Sequence, residues 1–123
     1  MRLNLWYCNY DYSFLANMCY AGLQDVVVPL AYPSTIAANI IYPMFPKNNL
    51  PVDMIFLDGS HIAQDVYHDC INYYPILKKS GILLGDDWQA EGVRYGVTEY
   101  CKAEGIPMPQ QVGNGVHWFM IKS

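Results

Sequence analysis

VDMIFLDGSHIAQDVYHDCINYYPILKKSGILLGDDW, residues 52–88, is the stretch whose reading decides the fold. Two segments in it, Asp53–Asp58 (DMIFLD) and Gly81–Asp86 (GILLGD), are continuous apolar runs that end in an acid. That is the pattern of central strands covered on both faces. Between them Ile62, Val66, Cys70, Tyr73 and Leu77 recur at steps of four, four, three and four. This spacing predicts a helix over Ile62–Leu77 with one buried face. Pro75 falls in its last turn and Gly81 follows, so the helix stops there. Strand, helix, strand is the unit of a parallel sheet with a right-handed crossover.

Working outward, the same alternation continues. Ala90–Glu104 carries Val93, Val97, Tyr100 and Cys101 on one side and has Gly105 as its stop, which predicts a second helix. Val116–Ile121 (VHWFMI) reads as a closing strand, preceded by Gly113-Asn114-Gly115. That GxG comes before a strand and opens no helix, so it is a hairpin turn rather than a dinucleotide fingerprint. On the N-terminal side, Asp25–Leu30 (DVVVPL) is expected to be a strand, and Ser34–Ile41 a short helix with Ser34 placed to cap it. Pro43–Pro51 reads as a surface loop.

Length and composition narrow the function. The 123 residues make at most one domain, and the 53% apolar content demands a packed core. Seven basic residues against eleven acidic ones leave a net charge of −4, and only Lys78-Lys79 are adjacent, which disfavours nucleic acid as a partner. The longest uncharged stretch, Val26–Pro46, is broken by four prolines and is no membrane span. MRLNLWYCNY at the start holds no apolar signal region, and the scattered Cys8, Cys19, Cys70 and Cys101 read as reduced, mostly buried thiols, which points to the cytoplasm.

In a parallel α/β sheet ligands bind beyond the carboxyl ends of the strands. That rule selects Asp58, Asp86 and Asp87. Converging carboxylates repel one another unless a cation sits between them, and Mg²⁺ takes oxygen ligands. The plainer alternative is that Asp58 and Asp86 cap the turns that follow. His61 opens the helix in the turn DGSH and is a candidate general base; alternatively it bonds to nearby backbone. His68 is expected on the surface and His117 is expected to be structural. Gly59 and Gly85 are expected to let the chain turn and approach a ligand. Trp88 is either a wall of a substrate pocket or a core residue.

These residues resemble a known family. Val52–Trp88 looks like the C-terminal half of class I S-adenosylmethionine-dependent methyltransferases, nearest to the small-molecule and sugar O-methyltransferases with the pattern D-hydrophobic-D-G-x-H … D … L-x-x-G-G … D-D. Asp53, Asp58, Gly59, His61, Asp69, Leu77, Gly81, Asp86 and Asp87 stand at those positions. Trp6–Ile41, with Ala21-Gly22, Val28-Pro29-Leu30 and Ser34, is similar to the segment before the core motif, and Gly92–Tyr100 to the helix after the acid pair.

The resemblance implies an α/β Rossmann-like methyltransferase fold, a mostly parallel sheet with helices on both faces. It implies S-adenosylmethionine as methyl donor, bordered by Asp58 and Gly59. It implies magnesium held by Asp58, Asp86 and Asp87, His61 as base, and a small-molecule or sugar hydroxyl as methyl acceptor. Two departures stand out. Ser80 replaces the first of the family's two glycines. The Gly-rich turn and the ribose-binding acid, which would come with the first two strands, are not found before Asp25, so residues 1–123 read as one partial domain lacking N-terminal strands 1 and 2. A sheet without them leaves open edges, which predicts association with a second copy or with a partner chain that completes it. The alternative function is an inactive remnant that binds metal or a partner. Phosphoryl transfer is disfavoured because no phosphate-cradling loop is present.

Overall fold

A computed structural model describes residues 12–44 and 52–123. The elements run α1 (Tyr12–Tyr20), α2 (Ser34–Ile41), a 3₁₀ turn (Tyr42–Met44), β1 (Val52–Leu57), α3 (Ala63–Tyr73), a second 3₁₀ turn (Tyr74–Ile76), β2 (Leu77–Gly85), α4 (Glu91–Glu104), β3 (Gln110–Val112) and β4 (His117–Ile121). The sheet order is β1-β2-β4-β3. β1 and β2 are parallel, as the β–α–β reading requires, whereas β4 runs antiparallel to both β2 and β3. The described sheet is therefore mixed, because the chain returns through a hairpin after α4 rather than through another crossover.

The pleat sorts the sheet residues into two faces. Ile55, Leu83, Trp118 and Met120 point to one side and form a single core with Ala38 and Ile41 of α2, Val66, Cys70 and Tyr73 of α3, and Val93, Val97, Tyr100 and Cys101 of α4. Met54, Phe56, Ile82, Leu84, Phe119 and Ile121 share the other side, where Met54 and Ile121 are exposed and the rest are partly covered. Of the two helical layers expected, α2, α3 and α4 build one. The other side is apolar too, as the near-continuous apolar runs of the strands predict.

Three local expectations need correction. Asp25–Leu30 is turn and irregular backbone, not a strand, with Val26 and Val28 exposed. Ser34 is not the cap of α2: that position is Pro33, and the Ser34 hydroxyl donates instead to Asp69 Oδ1 of α3 at 2.6 Å. α3 closes at Tyr73 and Pro75 sits in a 3₁₀ turn, so β2 begins at Leu77. Pairing of β1 with β2 jumps from Val52↔Leu77 to Met54↔Ile82, and the extra residues of β2 are absorbed with Ser80 at φ 65°. α4 ends as expected, with Gly105 in the left-handed conformation. Cys70 and Cys101 are buried free thiols and Cys19 is an exposed one. Cys8 and most of the Pro43–Pro51 loop lie outside the described residues.

Candidate active site at the strand ends

β1 and β2 run in the same direction, so both deliver their C-terminal acids to the same edge of the sheet. Each of Asp58, Asp86 and Asp87 offers a carboxylate oxygen within 4.8 Å of the others. Asp58 is exposed and the other two are half-buried. Neighbouring residues in an extended chain point to opposite faces. Asp86 and Asp87 escape that rule because Asp87 sits at φ 58°, in the left-handed region that Asp tolerates better than most residues. The Asp87 amide then donates to Asp86 Oδ1 at 2.8 Å.

Two histidines flank the acids. His61 Nε2 lies 2.7 Å from Asp87 Oδ2, a bond that fixes the ring across the gap between the turns after β1 and β2. The alternative of a helix-start histidine bonded to backbone is not the arrangement found. With Nε2–H donated to Asp87, Nδ1 is the nitrogen able to take a proton. On the opposite side His117 Nδ1 lies 3.0 Å from Asp86 Oδ1. Asp58 makes no hydrogen bond or ion pair among the described residues, and its oxygens are free for a ligand.

The turn DGSH is organised by Ser60, whose hydroxyl donates to Asp65 Oδ2 at 2.7 Å and accepts from the Ile62 amide at 3.0 Å. Sequence reasoning missed this residue, although a serine just before a helix with an acid in its first turn is a recognisable start signal. Gly59 has no positive φ, and a Cβ there would meet nothing, so the turn itself does not demand glycine. Gly85 serves a purpose other than the expected turn. It lies within β2, and a Cβ there would fall 2.5 Å from the Trp118 ring. Trp118 fills that space and donates Nε1–H to the Asp86 carbonyl at 3.3 Å. Trp88, expected as a possible pocket wall, is in the core with its ring 6.3 Å from that of Trp118, and lines neither cavity described below.

A cavity of about 570 Å³ opens beside Asp58 and Gly59, between the C-terminal half of β1 and the chain from Leu30 to Ala37. Asp58, Asp65, Asp69 and His68 line it, and no Lys or Arg among the described residues does. Burial holds the Asp69 carboxyl above its ordinary range, the Ser34 hydrogen bond pulls it back, and Asp65 adds to the rise. A second space of about 20 Å³ lies between the two acid-bearing turns, bordered by Asp58, Asp86, Asp87 and His61. It has room for one water-sized occupant.

Acids and a histidine gathered where two parallel strands end, with a cavity alongside, stand where α/β proteins bind their ligands. The sequence places the chain more narrowly. Residues 7–88 match the methyltransferase-domain family, and the chain belongs to that family. The structure is similar to that of the O-methyltransferase NovP, with a TM-score of 0.63 over 92% of this chain at 15% identity. This likeness bears on the fold, and the chain spans 45% of the length of NovP. No curated protein matches the sequence. Among the described residues, no helix is long and apolar enough to cross a membrane.

Proposed function

We propose that this chain is an S-adenosylmethionine-dependent O-methyltransferase, or the C-terminal part of one, that acts on a hydroxyl of a small molecule or sugar. The observation that carries the reading is the meeting of Asp58, Asp86 and Asp87 within 4.8 Å beside a cavity of about 570 Å³. That volume lies within the ~300–1,000 Å³ range of small-molecule sites. A wall bearing three acids suits a ligand with cationic groups, and S-adenosylmethionine carries a sulfonium and an ammonium.

The three donors are all carboxylate oxygens, the set preferred by a hard divalent ion such as Mg²⁺. The small space among them has the size of one ion or water. Asp58, Asp86 and Asp87 would hold the ion, which when bound lowers the pKa of a substrate hydroxyl and orients it. The chain's own contribution is positional. Asp87 fixes the His61 ring, and Nδ1 of that ring is available to take the hydroxyl proton. His61 is exposed toward solvent, so the proton can leave after transfer. Free thiols at Cys19, Cys70 and Cys101 suit a reducing cytoplasm. Met54 and Ile121, exposed on the apolar second face of the sheet, suit association with a second copy or a completing chain.

The test is calorimetric titration of the chain with S-adenosylmethionine in the presence of Mg²⁺. Saturable heat that disappears in Asp58→Asn is the expected result; absence of heat with wild-type chain overturns the reading. The second reading is a non-catalytic member of the family that holds a metal or a partner. Metal binding without any cofactor binding is its signature.

A further inference from the structure

The β3–β4 hairpin brings its own residues to the acid cluster, and this points past the strand-end aspartates themselves. Asp86 follows the last residue of β2, Gly85, which is paired with Trp118 of β4. Three contacts tie the acid-bearing turn to the start of β4. The Trp118 indole donates to the Asp86 carbonyl at 3.3 Å, the Trp88 amide donates to the Val116 carbonyl at 2.8 Å, and His117 Nδ1 stands 3.0 Å from Asp86 Oδ1. Only the last of these reaches a side chain of the cluster. The His117 ring is itself held from behind: a Cβ on Gly113, in the hairpin turn, would lie 3.1 Å from His117 Cδ2. The left-handed φ of Gly113, 62°, lets the turn fold against the ring.

We propose that His117 is a positioning residue for Asp86, setting the direction of its carboxylate and thereby the affinity of the Asp58–Asp86–Asp87 cluster for a divalent cation. This rests on the metal-assisted reading above. The carboxylate has two rotatable bonds and is half-buried. The Asp87 amide binds the same oxygen, Oδ1, from within the turn. With both donors on Oδ1, Oδ2 of Asp86 carries no hydrogen bond among the described residues. Asp87 is held at both oxygens, by His61 at Oδ2 and by Gln89 Nε2, which donates to Oδ1 at 3.2 Å. The arrangement is one histidine behind each of two acids, with Asp58 left free. Groups that hold a ligating side chain from behind typically change metal affinity by about 10–100-fold when removed.

The experiment measures Mn²⁺ binding to the whole chain by electron paramagnetic resonance, for wild type and for His117→Phe, His117→Asn and His117→Gln. Thermal melts run alongside. Phe keeps the ring bulk and loses the donor; Asn returns a donor where Nδ1 stood; Gln carries its donor farther out. The expected result is a Mn²⁺ affinity at least ~10-fold weaker in His117→Phe and close to wild type in His117→Asn. A merely structural histidine would alter the melts and leave the affinity alone. Equal affinity in all folded variants, with wild type binding, overturns the role of His117 and leaves the metal reading standing. No Mn²⁺ binding by wild type overturns both. Should His117→Phe fail to fold, the comparison of Asn with Gln decides: weaker binding in Gln than in Asn supports the proposal, and equal binding overturns it.

Discussion

Gly92→Ala is the substitution on which the packing of this site turns. Gly92 lies in the first turn of α4, and a Cβ built on it would fall 1.9 Å from the His61 carbonyl oxygen. Real Cβ atoms essentially never come within 3.0 Å of another atom, so the backbone of one element must retreat by at least 1.1 Å. Gly96, one turn on, has the Ala63 carbonyl at 2.6 Å and Val66 Cβ at 2.8 Å from its own would-be Cβ, so α4 cannot tilt away by pivoting there. Overpacking typically costs ~1–3 kcal/mol, and a clash with a backbone oxygen belongs at the upper end. Replacing Gly with Ala inside a helix returns ~1 kcal/mol. The net expectation is a loss of about 2 kcal/mol, which at about 4 °C per kcal/mol for a domain of this size lowers Tm by about 8 °C.

The displacement also reaches the chemistry, because the residue pushed is His61. An outward shift of its backbone opens the 2.7 Å bond to Asp87. Thermal melts and the histidine ring signals in NMR spectra read the two effects separately. Gly59→Ala is the control: its Cβ would meet nothing, so its melt should match wild type. A Gly92→Ala chain that melts at or above the wild-type temperature, with unmoved His61 signals, refutes the close approach of α4 to this turn.

Ser80→Gly relieves a residue held at φ 65°, where an L side chain costs ~1–2 kcal/mol, and loses part of that to unfolded-state entropy. The variant should be more stable by about 0.5–1 kcal/mol in urea titrations, and a loss of stability would sink the assignment of strain. Lys122→Met removes donors to the Pro75 and Leu77 carbonyls, at 2.8 and 2.7 Å, that tie the start of β2 to the end of the chain. It should cost about 1–2 kcal/mol by the same measurement. Asp69 titrates above its ordinary value of 3.8 in the folded state because it is desolvated. Between that value and the raised one the folded chain binds more protons than the unfolded chain, so stability falls as pH rises through this window. Asp69→Asn should abolish that fall in urea midpoints followed across the acid range, and an unchanged slope would refute it.

The elements within residues 52–105 were legible, apart from the end of α3 and the start of β2, because their signals are local. An apolar run ending in an acid, a face repeating every three to four residues, and a glycine past the last helical turn need no distant partner to be recognised. DVVVPL failed for the complementary reason. Three successive valines give strong strand propensity, but a strand exists only against a neighbour. In the described structure Asp25–Leu30 lies outside the sheet, and Val26 and Val28 are exposed instead. The antiparallel return of β4 was hidden as well. Val116–Ile121 looks the same whether it follows a crossover or a hairpin, and a three-residue β3 of Gln110–Val112 carries too little pattern to announce itself.

The candidate site divides along the same line. Asp58, Asp86, Asp87 and His61 follow from one rule about strand ends, because each lies within four residues of an element visible in the sequence. His117 does not, being 31 residues from Asp86 along the chain and brought back to it by the pairing of Gly85 with Trp118. Adjacent aspartates cannot both face one point from a regular strand, so the pair requires a left-handed residue at Asp87. It requires as well a structure that holds the turn in that conformation. The hairpin supplies it through Val116, His117 and Trp118, and Gly85 admits the indole that makes the pairing close. The acids near Trp88 and the aromatic strand at the chain's end are thus one structural unit. Perturbing the second should disturb the first even where no substituted side chain touches a carboxylate.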